Sequence, residues 1–312
     1  MPSPIDPDAL RAQLDLFCNG ADLSAEALHY QAYYGLDLPH LGVLRRQLGR
    51  FTVDGYDVVA QAWYPAQPVA TLLVMHGYYD HMGLYRHVVD WGLQMGFAVL
   101  ACDLPGHGLS SGPRASINEF DEYQAVLKGL LLEAANLDLP QPWHLLGQST
   151  GAAIVLDYML SAPAHPNLGR SILLAPLVRP HGWRWSRLSY EVMRHFVKQI
   201  PRRFSENSGD LAFLKFIQSS DPLQPDVLPT AWVGALSRWI PRIEGAAAST
   251  HSPIIIQGEA DMTVDWQYNL PVLQSKFDKP DILRLADARH HLVNEREALR
   301  QEYFTFLSER LR

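Results

Sequence analysis

The pentapeptide Gly147-Gln148-Ser149-Thr150-Gly151 places a hydroxyl between two glycines, after an apolar run at 143–146 and before a helical pattern at 152–160. A strand that feeds such a segment into a helix turns sharply, presents the serine, and aims the positive end of the helix at it. Glycines flank the serine because a turn this tight leaves no room for a Cβ on either side. The chemistry is nucleophilic attack, and a serine hydroxyl at its free pKa needs a base and a group to orient that base. Downstream, the apolar run at 254–256 leads into Gly258-Glu259-Ala260-Asp261, and the run at 282–285 leads into Arg289-His290-His291-Leu292. Acid and imidazole therefore fall on loops just past strand ends, where an open sheet gathers its ligand site. Asp261 is the expected orienting acid. Its rivals fit less well, since Glu259 lies close to the strand and Asp265 suits the cap of the next helix. Spacing alone leaves the base open between His290 and His291.

These loops need a frame of strands. Residues 51–64 alternate around Asp54-Gly55 and read as a hairpin. Apolar runs follow at 71–75, 98–101, 143–146, 171–174, 254–256 and 282–285. Runs without polar alternation are what parallel strands covered on both faces require. Helical spacing fills 84–95, 120–135, 152–160, 266–277 and 295–311. The exception is 178–250, where no strand is expected and Trp, Pro and Arg crowd short helical pieces. Ten basic against six acidic residues give this stretch +4, so the remainder carries -7 - 4 = -11. The expected architecture is α/β, a mostly parallel central sheet flanked by helices. A first core part spans 1–177, a helical insertion 178–250, and a second core part 251–312.

Composition closes off other classes. With 312 residues, 47% apolar and 19% charged, the chain can bury a large core and is not disordered. A pI near 6.0 argues against nucleic-acid binding. Cys18 and Cys102 are too few for a disulfide framework. The start, Met1 to Asp8, lacks the layout of a signal peptide, and no apolar run nears the ~18 to 20 residues that span a bilayer, so a cytoplasmic protein is expected. His76, His81, His87 and His107 lack metal-ligand spacing, and Gly106-His107-Gly108 fails the dinucleotide fingerprint at Ser111. No metal or cofactor is implied. Asp103, His107 and Ser110 read as a structural turn.

Four segments resemble the α/β-hydrolase family, in the branch of monoacylglycerol lipases, bacterial lysophospholipases and serine aminopeptidase-like hydrolases. They are His76-Gly77-Tyr78-Tyr79-Asp80-His81, Asp103-Leu104-Pro105-Gly106-His107-Gly108-Leu109-Ser110, the turn around Ser149, and Ala288-Arg289-His290-His291-Leu292-Val293-Asn294-Glu295. The resemblance implies a Ser149, Asp261 and His290 triad, with His291 as a neighbour. It implies the backbone N–H groups of Tyr78 and Thr150 as oxyanion donors. Gln148 and Thr150 replace the His and Met usual beside the serine of monoacylglycerol lipases, and Tyr78-Tyr79 replace the Gly-Gly-x-Gly usual in proline-specific aminopeptidases. Ser220-Asp221-Pro222-Leu223 resembles a recurring cap segment. The activity implied is hydrolysis of carboxylic esters in lipid metabolism, as a lysophospholipase or monoacylglycerol lipase does. The alternatives are an aminopeptidase or thioesterase on the same triad, and a non-catalytic ligand-binding scaffold. Tyr79, Trp183, Trp185, Phe213, Phe216, Trp232 and Trp239 are the expected pocket residues. The basic insertion could touch an anionic membrane surface. Oligomeric state is not written in these features.

Overall fold

The structure, a computed structural model, describes residues 4–17, 22–42 and 44–311. Cys18 and the first three residues lie outside the described residues. Two helices the pattern does not announce come first, α1 (Pro7–Ala12) and α2 (Ala25–Tyr34). The inner face of α2 consists of Ala27, Tyr30, Gln31 and Tyr34, which carry little apolar signal. The hairpin follows as β1 (Arg45–Val53) and β2 (Tyr56–Tyr64). Its turn residues Asp54 and Gly55 have φ of 50° and 79°, the paired positive values that suit the strand twist.

The chain then alternates through β3 (Ala70–Met75), α3 (Arg86–Gln94), β4 (Phe97–Cys102), α4 (Phe120–Asn136), β5 (Trp143–Gln148), α5 (Thr150–Ser161) and β6 (Leu168–Leu174). After β6 it leaves the sheet for α6 (Trp183–Met193), β7 (Gln199–Pro201), α7 (Leu211–Ser219), β8 (Val227–Pro229) and α8 (Thr230–Gly245). It returns as β9 (Ile254–Gly258), α9 (Trp266–Lys276), β10 (Asp281–Leu285) and α10 (Glu297–Leu311). Where only helical pieces were expected, β7 and β8 form a two-stranded ribbon. Three residues each are too few to show an alternation.

Among the described residues the sheet has eight strands, in the order β1-β2-β4-β3-β5-β6-β9-β10. Strands β4 to β10 of that order run parallel, and the hairpin joins antiparallel through β2 and β4. Every residue of β3, β4 and β5 is buried, because helices cover both faces. Parallel pairing brings the C-terminal ends of β3, β5, β9 and β10 to one edge, and with them the loops that carry Tyr78, Ser149, Asp261 and His290.

Candidate active site

Ser149 is the last residue before α5 and has φ 56° and ψ -112°, a strained conformation for a side chain with a Cβ. The strain is held from both sides. The Ser149 N–H donates to the Leu174 carbonyl at 2.8 Å, and its own carbonyl accepts from Ala153 at 2.9 Å. A Cβ on Gly147 would meet the Gly151 carbonyl carbon at 2.3 Å, and one on Gly151 would meet the Met75 carbonyl oxygen at 2.0 Å. The two glycines thus let β5, the turn and the end of β3 approach closely enough to project the hydroxyl.

His290 Nε2 lies 2.9 Å from Ser149 Oγ, and His290 Nδ1 lies 2.7 Å from Asp261 Oδ2. An ionised carboxylate can only accept, so Nδ1–H donates to Asp261, and Nε2 of the neutral ring accepts the serine proton. Asp261 is buried and fully engaged. Its Oδ1 accepts from the N–H groups of Thr263 at 2.7 Å and Val264 at 3.1 Å, and its Oδ2 also accepts from Gln257 Nε2 at 3.2 Å. Burial by itself would raise the Asp261 pKa, but His290 and the two backbone donors overturn that and hold it below the usual carboxylate range. The rivals are placed elsewhere. Glu259 pairs with Arg284, and Asp265 caps α9 by accepting from the Tyr268 N–H.

His291 turns away from the serine. Its Nε2 meets Asp80 Oδ1 at 3.0 Å, and Asp80 also accepts from the Tyr85 hydroxyl at 3.0 Å. The rest of that loop is scaffold. Asn294 donates to the Leu84 carbonyl at 2.9 Å, and the buried Glu295 carboxylate accepts from the N–H groups of Arg289 and Gly209. Gln148 Nε2 donates to the His290 carbonyl at 2.8 Å, so the residue before the serine helps to hold the His290 loop in place. Sequence reasoning marked Gln148 only as a departure from a pattern. Its positioning role depends on a contact 142 residues away along the chain, which spacing cannot reveal.

The remaining polar residues of the sequence motifs prove structural in their contacts. Asp103 accepts from the N–H groups of Met82 and Leu109, and the Ser110 hydroxyl donates to the Asp103 carbonyl. His76 accepts from the Leu104 N–H at 2.8 Å. His81 Nε2 lies 2.9 Å from Asp221 Oδ2 with both side chains fully buried, and the Tyr34 hydroxyl donates to the same carboxylate at 2.7 Å. Asp221 therefore ties the segment between β6 and β9 to the sheet and to α2. Among the described residues no three such side chains gather as a cation site.

Ser149 opens into a cavity of about 310 Å³. Tyr78, Tyr79, Leu177, Ile217, Leu228 and Trp232 supply much of its wall, and Tyr78 stacks on Trp232 with ring centres 3.7 Å apart. Thr150 is the first residue of α5, so its N–H has no partner within the helix. Of the expected pocket residues, Tyr79 and Trp232 line this cavity and the other five do not. Trp239 is buried against Phe120 and donates to Asp157, and Trp183 packs into the same core. Phe213 and Phe216 line a separate cavity with Arg86 and His87. Trp185 is 76% exposed. Aromatic type identified side chains that need an apolar neighbour, but which face each helix turns to the serine is a tertiary fact.

A mostly parallel sheet with a strained serine between its central strand and the following helix defines an α/β-hydrolase. A family model described as serine aminopeptidase, S33 matches residues 66–297, and the chain belongs to that family, on its monoacylglycerol lipase and lysophospholipase branch. The chain is 25% identical over 274 residues to the monoglyceride lipase of Rattus norvegicus, covering 83% of this chain and 84% of that one. It is 32% identical over 130 residues to the monoacylglycerol lipase of Mycolicibacterium smegmatis, covering 41% of this chain and 46% of that one. A match at the same identity spans only 13% of an abhydrolase domain-containing protein of Dictyostelium discoideum. Among solved structures, a soluble variant of monoglyceride lipase from Saccharomyces cerevisiae superposes with a TM-score of 0.74 at 16% identity, covering 87% of this chain and 96% of that one. At that identity the likeness concerns the fold.

Proposed function

We propose that this chain is a serine carboxylic-ester hydrolase of lipid substrates, cleaving single-chain acyl esters as a lysophospholipase or monoacylglycerol lipase does. The observation that carries this reading is the relay of 2.9 Å and 2.7 Å from Ser149 through His290 to Asp261, set at the floor of an apolar cavity. His290 takes the serine proton as Oγ attacks the ester carbonyl. The N–H groups of Tyr78 and Thr150 hold the oxyanion, and Asp261 steadies the imidazolium. His290 then protonates the leaving alcohol, and water repeats the cycle on the acyl-enzyme. A cleft sized for one chain, with apolar walls, suits a fatty acyl group.

Residues 178–250 act as the cap in this reading. On α6, Trp185, Leu188 and Val192 are exposed, and Phe196 beyond it is 85% exposed. The positions 185, 188, 192 and 196 fall on one helical stripe beside Arg184 and Arg187. An apolar stripe among cations suits the surface of an anionic lipid aggregate, from which substrate would enter. Among the described residues no helix is long and apolar enough to cross a membrane. Peptide hydrolysis fits less well. An N-terminal ammonium needs a free carboxylate, and Asp80, the carboxylate that lines the cavity among the described residues, is already taken by His291 and Tyr85.

Turnover of monoacylglycerols, lysophospholipids and soluble short esters, set against aminoacyl anilides, tests the reading. Ester turnover that disappears in Ser149→Ala supports it, and anilide turnover without ester turnover contradicts it.

A further inference from the structure

Two cations line the cavity that holds Ser149, and the reaction above uses neither. Arg202 lies with its guanidinium carbon 4.1 Å from the ring centre of Tyr79 and 4.2 Å from that of Phe204. Its Nη1 donates to Gln224 Oε1 at 2.6 Å and to the Pro225 carbonyl at 3.1 Å. Those contacts fix the plane of the guanidinium. Among the hydrogen bonds of the described residues its Nε and Nη2 are not engaged, so one edge of the fork stays open. Arg203 is exposed at the rim of the same cavity.

No ion pair reaches either arginine among the described residues. The carboxylates that act on Arg202 from a distance, Asp80 and Asp221, are committed to His291 and His81. Burial pulls the Arg202 guanidinium pKa down against the opposing pull of Tyr79 and those acids. Holding a guanidinium in a partly dry cleft costs free energy that a paired anion returns. The acyl chain of a substrate cannot supply that anion, and the apolar wall formed by Leu177, Ile217, Leu228 and Trp232 already accounts for the chain. The anion must then come from the alcohol part of the ester. Tyr79, under the guanidinium, directly follows Tyr78, the candidate oxyanion donor, and the cation lines the same cavity as Ser149.

We infer that Arg202, assisted by Arg203 at the rim, selects acyl esters whose alcohol part carries a phosphate over uncharged glycerol esters. The open edge of the guanidinium matches two phosphate oxygens. This inference rests on the ester-hydrolase reading and adds a substrate charge to it.

Hexanoyl glycerophosphate and hexanoylglycerol are both soluble monomers, so they report on the cavity without a lipid surface. The quantity to measure is the ratio of their kcat/KM values in wild type, Arg202→Met, Arg202→Lys and Arg203→Gln. Wild type should favour the phosphate ester by roughly tenfold to a hundredfold, the range of one charge-assisted hydrogen bond in a partly dry site. Arg202→Met should erase most of that ratio, Arg202→Lys should keep part of it, and Arg203→Gln should reduce it several-fold. Because each ratio is taken within one protein, a general loss of folded enzyme does not move it. If Arg202→Met does not fold, Arg202→Lys and Arg203→Gln decide the matter. A wild-type preference for the neutral ester, or a ratio unchanged across the variants, overturns the charge selection and leaves the ester hydrolase standing. Turnover of neither ester overturns the hydrolase reading and this inference with it.

Discussion

Under the cavity, Ser149, His290, Asp261 and Gln148 are buried, and each is held by hydrogen bonds to backbone or to one another. On the outer face of α6, Trp185, Leu188 and Val192 are exposed to water, as is Phe196 just beyond it. The floor is determined many times over. Strand ends, two glycines and a buried carboxylate all specify one position for the hydroxyl. The α6 face has no such determination: its apolar side chains stand in water, the arrangement that the proposed lipid contact would complete. In the proposed reading, reaction chemistry is written in backbone geometry and access to substrate on a surface.

Substitutions that act on one region and spare the other can break this contrast. The largest effect belongs to the floor: Ser149→Ala should lower kcat on soluble and lipid esters alike by on the order of 10⁶, the scale for loss of a triad nucleophile. Steady-state rates on a soluble short ester would show it, and retention of a few per cent by pure protein would count against the site. His290→Ala should approach the same loss. His291→Ala should keep most of kcat yet lower the Tm, because it removes the imidazole paired with the buried Asp80 and leaves that carboxylate with the Tyr85 hydroxyl, while removing one partner of a buried pair costs up to about 3–5 kcal/mol. The reverse pattern between the two histidine variants would exchange their roles.

The junction between the floor and the segment that links β6 to β9 gives a smaller, pH-dependent effect. Burial would lower the His81 pKa, but Asp221 overturns that and raises it. Burial would likewise raise the Asp221 pKa, and His81 overturns that and lowers it. The raised His81 pKa contributes stability that is complete below about pH 6.5 and lost as pH rises through its folded value. The depressed Asp221 pKa contributes stability that is complete above about pH 4 and lost as pH falls through its folded value. The Tm difference between wild type and Asp221→Asn should therefore be widest from about pH 4 to 6.5 and should narrow as pH rises beyond the His81 value. Thermal melts across that range check it, and a gap that widens with rising pH would contradict the assignment. The smallest effect on chemistry belongs to α6. Trp185→Ser with Phe196→Ser should leave kcat on a soluble ester unchanged and weaken binding to anionic vesicles several-fold, and sedimentation with such vesicles measures the second part.

The floor was the more legible region. The strand-to-helix turn around Ser149 was legible because only glycines tolerate the contacts that Gly147 and Gly151 make. The parallel strands were readable because burial on both faces leaves continuous apolar runs. Between His290 and His291 the residues themselves could not choose, since what separates them is the direction each ring takes after β10, toward Ser149 or toward Asp80. The segment between β6 and β9, the proposed cap, was less legible for the same kind of reason. Trp183, Trp185, Trp232 and Trp239 look alike in sequence, yet they end in the core, in solvent, on the cavity wall and against Asp157. Helix rotation in an insertion is set by what it packs on, and local pattern does not carry that.

Labelling with a fluorophosphonate, followed by mapping of the adduct by mass spectrometry, tests the central claim that Ser149 is the nucleophile and His290 its base. Wild type should carry one adduct, on Ser149, with none in Ser149→Ala and much slower labelling in His290→Ala. An adduct on another residue, or labelling of Ser149→Ala at the wild-type rate, would contradict the account.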